Sequence, residues 1–470
     1  MTPPGALQKN QYTGVCPAHF ASALDSRTAA GVISAQSHKQ SRPMPEIEDH
    51  PLRYALVNEL HARPFPSLEV PCEAVYVAIK EPFDAANRDR ATDRAHLLAL
   101  LDRNGAAHPQ PEANHFSARI GRHELKWESH TEFVTYSAFT KGVPDRPFDP
   151  ASTEVFPAGW LAQAPGRRVA AVTVRVEALP DDPAEVAQKL DDWFVPESLA
   201  AAWVLDEAAI IGGDFQIDPA GQMRFAVFVR PGTGPRRIGR IVQRLCEIET
   251  YRAMSMLGLG RARELTGRLN ALDPKLAALV TALNDDHTAA EATLHELLEI
   301  SAELESLATR HSFRFGATGA YEAIANQRIE ALRESRFLGR QTFGEFMRRR
   351  YDPAMRTVKS AERRLEQMGL RAERAGELLS TRVDVERSAQ NQKLLESMDR
   401  RADMALRLQH TVEGLSVVAI SYYAVSLATY ALLPFAEALH VEKAVLTAAL
   451  VPLVVFGVWL MIRRIRNSMH

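Results

Sequence analysis

The distribution of apolar positions divides the chain into three regions. From about residue 49 to residue 230, short stretches alternate between apolar and polar side chains, which is typical of half-buried strands. After Gly234 the apolar residues recur at helical spacing. Two long stretches without charge follow near the C-terminus. The pattern predicts a mixed domain, a helical region and a pair of membrane-spanning helices, in that order.

The first region combines strands with helices. Strands are predicted at 73–79, 115–120, 131–139, 168–178, 208–217 and 223–230, and helices at 91–103, 183–194 and 199–207. Their interleaving predicts an α+β (or α/β) domain built on one sheet. We assign residues 44–232 to this domain.

Residues 233–351 form the predicted helical region, with helices around 262–284, 286–310 and 317–339. Asp352 and Pro353 then provide an N-cap and a first helical residue for a long stalk helix over 352–413. A helix of about 60 residues would be roughly 90 Å long.

The stalk carries an apolar seam at alternating spacings of three and four residues. It comprises Leu365, Met368, Ala372, Ala375 and Leu379, and resumes at Leu395, Met398, Ala402 and Ala405. Such a seam requires a partner helix. That partner is either an earlier helix of this chain or a second subunit in a homo-oligomer, and the sequence leaves both open.

Residues 415–436 and 444–462 contain no charged side chain, and each stretch is long enough to cross a bilayer as a helix. The connection at 437–443 is short, so the two spans (domain 414–463) form a hairpin with both flanks on one side. Arginines stand before the first span and after the second, in the basic tail 464–470, whereas the loop has only Lys443. This asymmetry predicts that both termini are cytoplasmic.

Residues 1–43 contain no apolar core of a secretory signal. We interpret them as a disordered leader, and either Met1 or Met44 serves as the start.

The charge and cysteine content of the chain limit the ligands and sites that it can have. The formal net charge is −2 over 470 residues, which gives no support for nucleic-acid binding through bulk electrostatics. The three cysteines are far apart, so neither a disulfide framework nor a cysteine zinc site is predicted.

Two groups of polar residues are candidate sites. Glu128, His130 and Glu132 alternate along a predicted hairpin and would share one face, where they could hold a divalent ion. The alternative is that they form the solvated face of a strand. Within the first span, Tyr422, Ser426 and Thr429 form a polar stripe that suits helix packing or a water-filled pathway. Packing is favoured because neither span contains an ionisable group that would mark an ion path.

Five stretches of the chain are distinctive: HPLRYALVNELHARPF (50–65), LKWESHTEFVTYSAF (125–139), LCEIETYRAMSMLGL (245–259), QTFGEFMRRRYDPAMRT (341–357) and EGLSVVAISYYAVSL (413–427). Together they resemble one bacterial family of predicted membrane-anchored proteins of unknown function, domain of unknown function 3422. The resemblance implies a C-terminal anchor in the bacterial inner (plasma) membrane and assigns no activity. The architecture is also loosely similar to CorA-type magnesium channels, but their Gly-Met-Asn signature is absent from the end of the first span (432–436).

These observations favour a multi-pass protein that anchors a cytoplasmic scaffold, sensor or binding module to the lipid bilayer. The alternative is an oligomeric CorA-like ion transporter without the signature. The sequence contains no nucleophile–base set and no cofactor fingerprint. We therefore predict no catalytic residues and no cofactor, and an enzyme is not favoured.

Overall fold

The computed structural model of the protein describes residues 48–54, 56–57, 64–283, 290–438 and 442–468. The predicted leader, 1–43, lies outside these residues. The chain divides into two compact units, Met1–His61 and Ala62–His470. In the first unit, residues 53–54 and 56–57 are helical, and Arg53 pairs with Asp49. Every element described below belongs to the second unit.

The second unit begins with a sheet that has nine strands within the described residues, in the order β2-β3-β4-β1-β5-β8-β7-β6-β9. Neighbouring strands are antiparallel except β5 and β8, which are parallel. The strands are β1 (Cys72–Lys80), β2 (His115–Ile120), β3 (His123–Ser129), β4 (Phe133–Lys141), β5 (Arg167–Ala178), β6 (Ala200–Val204), β7 (Ala209–Gly213), β8 (Met223–Val229) and β9 (Ser335–Arg336).

Eight α-helices lie in the described part of the second unit. They are α1 (Arg90–Arg103), α2 (Ala158–Leu161), α3 (Pro183–Trp193), α4 (Pro235–Ala282), α5 (Ala290–Glu330), α6 (Phe343–Arg350), α7 (Asp352–Ala438) and α8 (Lys443–Ser468). The N-cap carboxylates of Asp89 and Asp182 accept hydrogen bonds at the starts of α1 and α3.

Helices cover both faces of the sheet. On one face, Leu97, Leu100 and Leu101 of α1 pack on β1, β3 and β4, while α3 packs on β7 and β8. On the opposite face, Ile241, Val242 and other apolar residues of α4 pack against the centre of the sheet. The predicted order of a sheet domain, a helical region, a long helix and C-terminal apolar helices is confirmed.

Two predictions are wrong: a helix at 199–207, and two separate helices at 286–310 and 317–339. Residues 199–207 are predicted as a helix but form β6 and a tight turn, in which Leu205, Asp206 and Glu207 have positive φ. The alanines at 200–202 favour a helix locally, but pairing with β7 and β9 outweighs that preference. The helices predicted around 286–310 and 317–339 are instead the single helix α5, which ends at Glu330, and residues 335–336 form β9. The helix predicted around 262–284 is the end of α4.

The long helix α7 comprises 87 residues, from Asp352 to Ala438. Its first part packs on α4 and α5 through the predicted seam, including Leu365, Met368 and Leu379. The first half of the seam, residues 365–379, therefore has α4 and α5 of the same chain as its partners. From Asp384 to Val412 every residue is exposed, including Leu395 and Met398 of the second half.

The end of α7, as far as Pro434, and residues Lys443–Arg464 of α8 are long and apolar enough to cross a membrane. The two helices pack against each other. Residues 439–441 of the connection between them lie outside the described residues.

Candidate functional site

The outer strands β3 and β4 carry polar side chains on the face that α4 covers. Lys126 and Glu128 of β3 are only 7% and 8% exposed, and Thr135 and Ser137 of β4 only 2% and 8%. Their neighbours in sequence point to the other face, where Trp127 and Tyr136 join the apolar cluster beneath α1. The alternation predicted from the sequence is therefore present, but the polar face is buried under a helix rather than solvated.

Strand register brings these residues into adjacent rows. Lys126 lies opposite Ser137, which in turn lies opposite Tyr76 of β1. Glu128 lies opposite Thr135 in the next row of that face. Side chains that are directly opposite each other are in contact distance, so three strands present one continuous polar surface.

Helix α4 completes this surface with polar residues of its own. Gln243 accepts a hydrogen bond from Lys126 Nζ at 3.0 Å, and its amide donates to Glu247 at 2.7 Å. Glu247 also pairs with Arg328 of α5, and Lys126 Nζ lies 3.2 Å from Glu128 Oε1. The two cations and two carboxylates form one network, in which each charge has an opposite partner.

A cavity of about 190 Å³ lies between the sheet and α4. We call it the polar cavity. It is lined by Phe65, Ala74, Tyr76, Lys126, Glu128, His130, Phe133, Thr135, Ser137, Phe139, Gln243, Cys246, Glu247, Thr250, Tyr251 and Arg328.

Burial determines the protonation state of two groups in the polar cavity, the Tyr76 hydroxyl and the Cys246 thiol. The Thr250 hydroxyl donates to the Tyr76 hydroxyl at 2.8 Å, and burial raises the pKa of Tyr76 well above its ordinary value. Burial and the nearby Glu247 carboxylate raise the pKa of the Cys246 thiol. Both groups are therefore neutral at physiological pH. Lys126 opposes the rise in the pKa of Cys246, but burial outweighs its effect, so the reactive thiolate is scarce.

The three predicted metal ligands do not form one site. The strand ends at Ser129, so Glu128 lies in β3 while His130 and Glu132 lie in the turn before β4. Glu128 pairs with Lys126, the His130 ring stacks on Phe133, and Glu132 pairs with Arg314 of α5. The turn breaks the alternation on which the prediction depended. Within the described ranges, no three His, Cys, Asp or Glu side chains are placed to hold a metal ion.

The predicted stripe in the first apolar span is divided between two environments. Tyr422 is 70% exposed, whereas Thr429 is 6% exposed and donates its hydroxyl to the Val425 carbonyl at 2.8 Å. Ser426 is half-buried. Ser421, which is not part of the predicted stripe, is also buried. Small hydroxyl residues therefore lie among the buried positions of this span, while Tyr422 points outward.

Comparison with known families assigns the chain to a protein family. The profile of a family described as "Protein of unknown function (DUF3422)" matches residues 48–469. The chain belongs to this family. A comparison with curated proteins found no match, so the likeness to CorA-type channels has no support from sequence comparison.

Residues from three of the five stretches that resemble the family line the polar cavity. Residues 50–65 contribute Phe65, residues 125–139 contribute the β3 and β4 side chains, and residues 245–259 contribute Thr250 and Tyr251. Sequence reasoning missed Thr135, Ser137 and Arg328. One signal was present: Gln243, Glu247 and Thr250 form a polar stripe at spacings of four and three residues, next to the apolar stripe that includes Ile241, Val242 and Leu245. Such a stripe indicates that α4 faces a polar surface.

Proposed function

We propose that the protein is a membrane-tethered binding module, in which the sheet domain is held away from a bacterial inner membrane by α7. The main support for this proposal is that α7 is one continuous helix. It begins at Asp352 and continues without interruption through the first apolar segment to Ala438. At 1.5 Å per residue, this helix is roughly 130 Å long.

The side of the membrane follows from the arginines. Arg400, Arg401 and Arg407 precede the first apolar segment, and Arg463 and Arg464 end the second. The positive-inside rule then places the sheet domain and both termini in the cytoplasm. The polar cavity supplies the binding site of the module.

Truncation tests the tether. A chain that ends at Thr411 lacks both apolar segments but keeps the described contacts of α7 with α4 and α5, which extend to the pair of Arg387 and Glu291. We expect residues 1–411 to be soluble, with the helical circular dichroism of the remaining elements, whereas the full chain fractionates with membranes. A full chain in the soluble fraction, or a truncated chain that still sediments with membranes, would contradict the proposal.

Reporter fusions test the orientation. Green fluorescent protein fused after His470 should fluoresce, and alkaline phosphatase fused there should be inactive, because both report a cytoplasmic position. Phosphatase fused after Ala438 should be active. The reverse pattern would place the sheet domain outside the cytoplasm.

Self-association along α7 is a second part of the proposal. Leu395, Met398 and Val412 are each more than half exposed, although the same helix buries its seam upstream. The other helices of the bundle end near this level: Arg382 donates to the Leu283 carbonyl at 3.1 Å, and Arg387 pairs with Glu291 at 2.8 Å. No described helix covers the segment from Asp384 to about Gln409.

A second copy of the chain suits this surface. Anchored copies are parallel, and identical segments lie at the same height above the bilayer. The seam Leu395, Met398, Ala402 and Ala405 would then pair in register as a coiled coil. Confinement to one membrane also raises the effective concentration of the copies.

The mass of the full chain in detergent, after subtraction of bound detergent and lipid, tests self-association. We expect a multiple of the monomer mass that falls to the monomer in the double variant Leu395→Glu/Met398→Glu. Met404→Glu is the matched control, since Met404 is also exposed but lies on the opposite side of the helix. In membranes, Ala402→Cys should form an inter-subunit cross-link and Arg400→Cys should not. A monomeric mass without that cross-link would contradict self-association.

A further inference from the structure

We infer that the polar cavity binds an uncharged, hydroxyl-bearing ring compound of the size of one sugar, such as a monosaccharide or a cyclitol. This inference rests on the proposed binding role but not on the membrane tether. Three features of the polar cavity carry it: its unpaired hydroxyls, its internal charge balance and its aromatic walls.

The hydroxyls of Thr135 and Ser137 face the polar cavity without a partner. Both residues are more than nine-tenths buried, and neither side chain makes a hydrogen bond with the described residues. Each hydroxyl can donate one hydrogen bond and accept two. A ligand that satisfies both must therefore offer donors and acceptors together, as hydroxyl groups do.

The spacing of these hydroxyls suits a ring. Thr135 and Ser137 are two residues apart on β4, so their side chains stand on one face about 7 Å apart. Hydroxyls on opposite sides of a six-membered ring can reach both. The polar cavity, at about 190 Å³, has the volume that about six water molecules occupy in the liquid, which is enough for one such ring.

The charges of the polar cavity argue against an ionic ligand. Lys126 is satisfied by Glu128 and Gln243, and Arg328 by Glu247. An anion or cation would have to break one of these pairs and leave a charge uncompensated in a buried site. A zwitterion meets the same obstacle at each of its ends. An uncharged ligand leaves the network intact.

Apolar walls complete the site. Phe65, Phe133, Phe139 and Tyr251 line the polar cavity beside the polar groups. Phe133 and Phe139 flank Thr135 and Ser137 on the same face of β4. Their rings provide apolar surface against which the C–H groups of a sugar or cyclitol ring pack, while its hydroxyls turn toward Thr135 and Ser137.

Equilibrium binding to the full-length protein tests the inference. The protein is kept in a detergent without a sugar headgroup, and D-glucose, D-galactose and myo-inositol are compared with L-alanine and glucose 6-phosphate by calorimetry and thermal stability. We expect at least one uncharged ring compound to bind and raise the melting temperature. The zwitterion and the phosphate ester should not bind.

Matched variants locate the site. Thr135→Val and Ser137→Ala remove one hydroxyl each with little change of shape, and we expect each to weaken binding at least tenfold. Thr173→Val is the control, because Thr173 is equally buried in the sheet but does not line the polar cavity.

Three outcomes would overturn the inference: binding of the zwitterion or the phosphate ester instead, no binding of any uncharged ring, or binding that survives both hydroxyl variants. None of these outcomes alters the result of the truncation and fusion experiments, so the tether is tested separately.

Discussion

Glu132 and Tyr321 join the sheet to helix α5. The Tyr321 hydroxyl donates to Glu132 Oε1 at 3.0 Å, and Arg314 of the same helix pairs with the other carboxylate oxygen. Lys80 Nζ of β1 lies 3.8 Å from that oxygen. The Glu132 side chain is only 2% exposed, so one buried carboxylate compensates two cations where the sheet meets the helical region.

Replacing Glu132 by Gln should destabilise the fold strongly. The variant keeps the size of the side chain but leaves Arg314 and Lys80 without their counter-charge, which typically costs about 3–5 kcal/mol. Burial and the Arg314 guanidinium already lower the pKa of Lys80 against the opposing effect of Glu132, so the pKa of Lys80 should fall further. Thermal or urea denaturation measures the loss.

The exposed pair of Lys141 and Glu69, at 3.0 Å, provides the control for this variant. Glu69→Gln should change stability by less than about 1 kcal/mol, since exposed ion pairs contribute little. Equal effects of the two substitutions would show that burial of Glu132 is not what makes it important.

Gly239 of α4 marks a close approach to the backbone of Pro66. A Cβ atom added at Gly239 would lie 1.7 Å from the Pro66 carbonyl oxygen, so Gly239→Ala must displace backbone. We expect a loss of about 1–3 kcal/mol, as for overpacking in a core. Melting temperatures of the purified variants measure this effect.

Gly267, on the same helix, serves as the comparison because nothing lies within 4 Å of its Cβ position. Gly267→Ala should stabilise the protein by roughly 0.5–1 kcal/mol, since alanine is the better helix former. Stabilisation by both substitutions would mean that α4 does not approach Pro66 this closely.

His311 of α5 should make the helical region sensitive to acid. The residue is 1% exposed, and neither ring nitrogen has a hydrogen-bond partner in the described part of the chain. Burial lowers the pKa of His311; Glu264 opposes this shift, whereas Arg261 and Arg310 add to it. The unfolded chain therefore binds the proton more tightly, and stability should fall as the pH drops below about 6.5.

The variant His311→Leu should be more stable than the wild type, because it replaces a buried group without a partner by an apolar one. Its advantage should be larger at pH 5 than at pH 7.5. His295→Leu is the control, since the His295 side chain is 79% exposed. An advantage of His311→Leu that does not change with pH would show that His311 does not titrate differently in the folded and unfolded states.

Cys72 and Cys246 should be unreactive in the folded protein. Both are buried, and burial raises the pKa of Cys72 to about 12 and also raises the pKa of Cys246. At pH 8 the reactive thiolate is therefore scarce at both residues. In a Cys16→Ser background, a maleimide should label neither thiol until the protein is unfolded in urea. Rapid labelling of the folded protein would contradict the buried positions of both thiols.

Local patterns determined much of the fold. Strong alternation predicted β1, β4, β5 and β8, and the Asp352–Pro353 start of the long helix is where α7 begins. The charge-free stretches at the C-terminus were equally informative, because length and apolarity are properties of the sequence alone. Residues 200–204 were misassigned because their strand depends on pairing with β7 and β9, which are distant in sequence.

The candidate site was decided by tertiary structure. From the sequence, the polar face of β3 and β4 could be either solvated or a metal site, since alternation does not reveal what covers a strand. Helix α4 packs over Lys126, Glu128, Thr135 and Ser137 and encloses that face. Arg328, which also lines the polar cavity, lies about 200 positions after Lys126 in the sequence. The sequence by itself determined which side chains share a face of each strand and helix, because that follows from local periodicity. Only the tertiary structure decided which faces meet, because contacts between distant segments depend on how all the elements pack together.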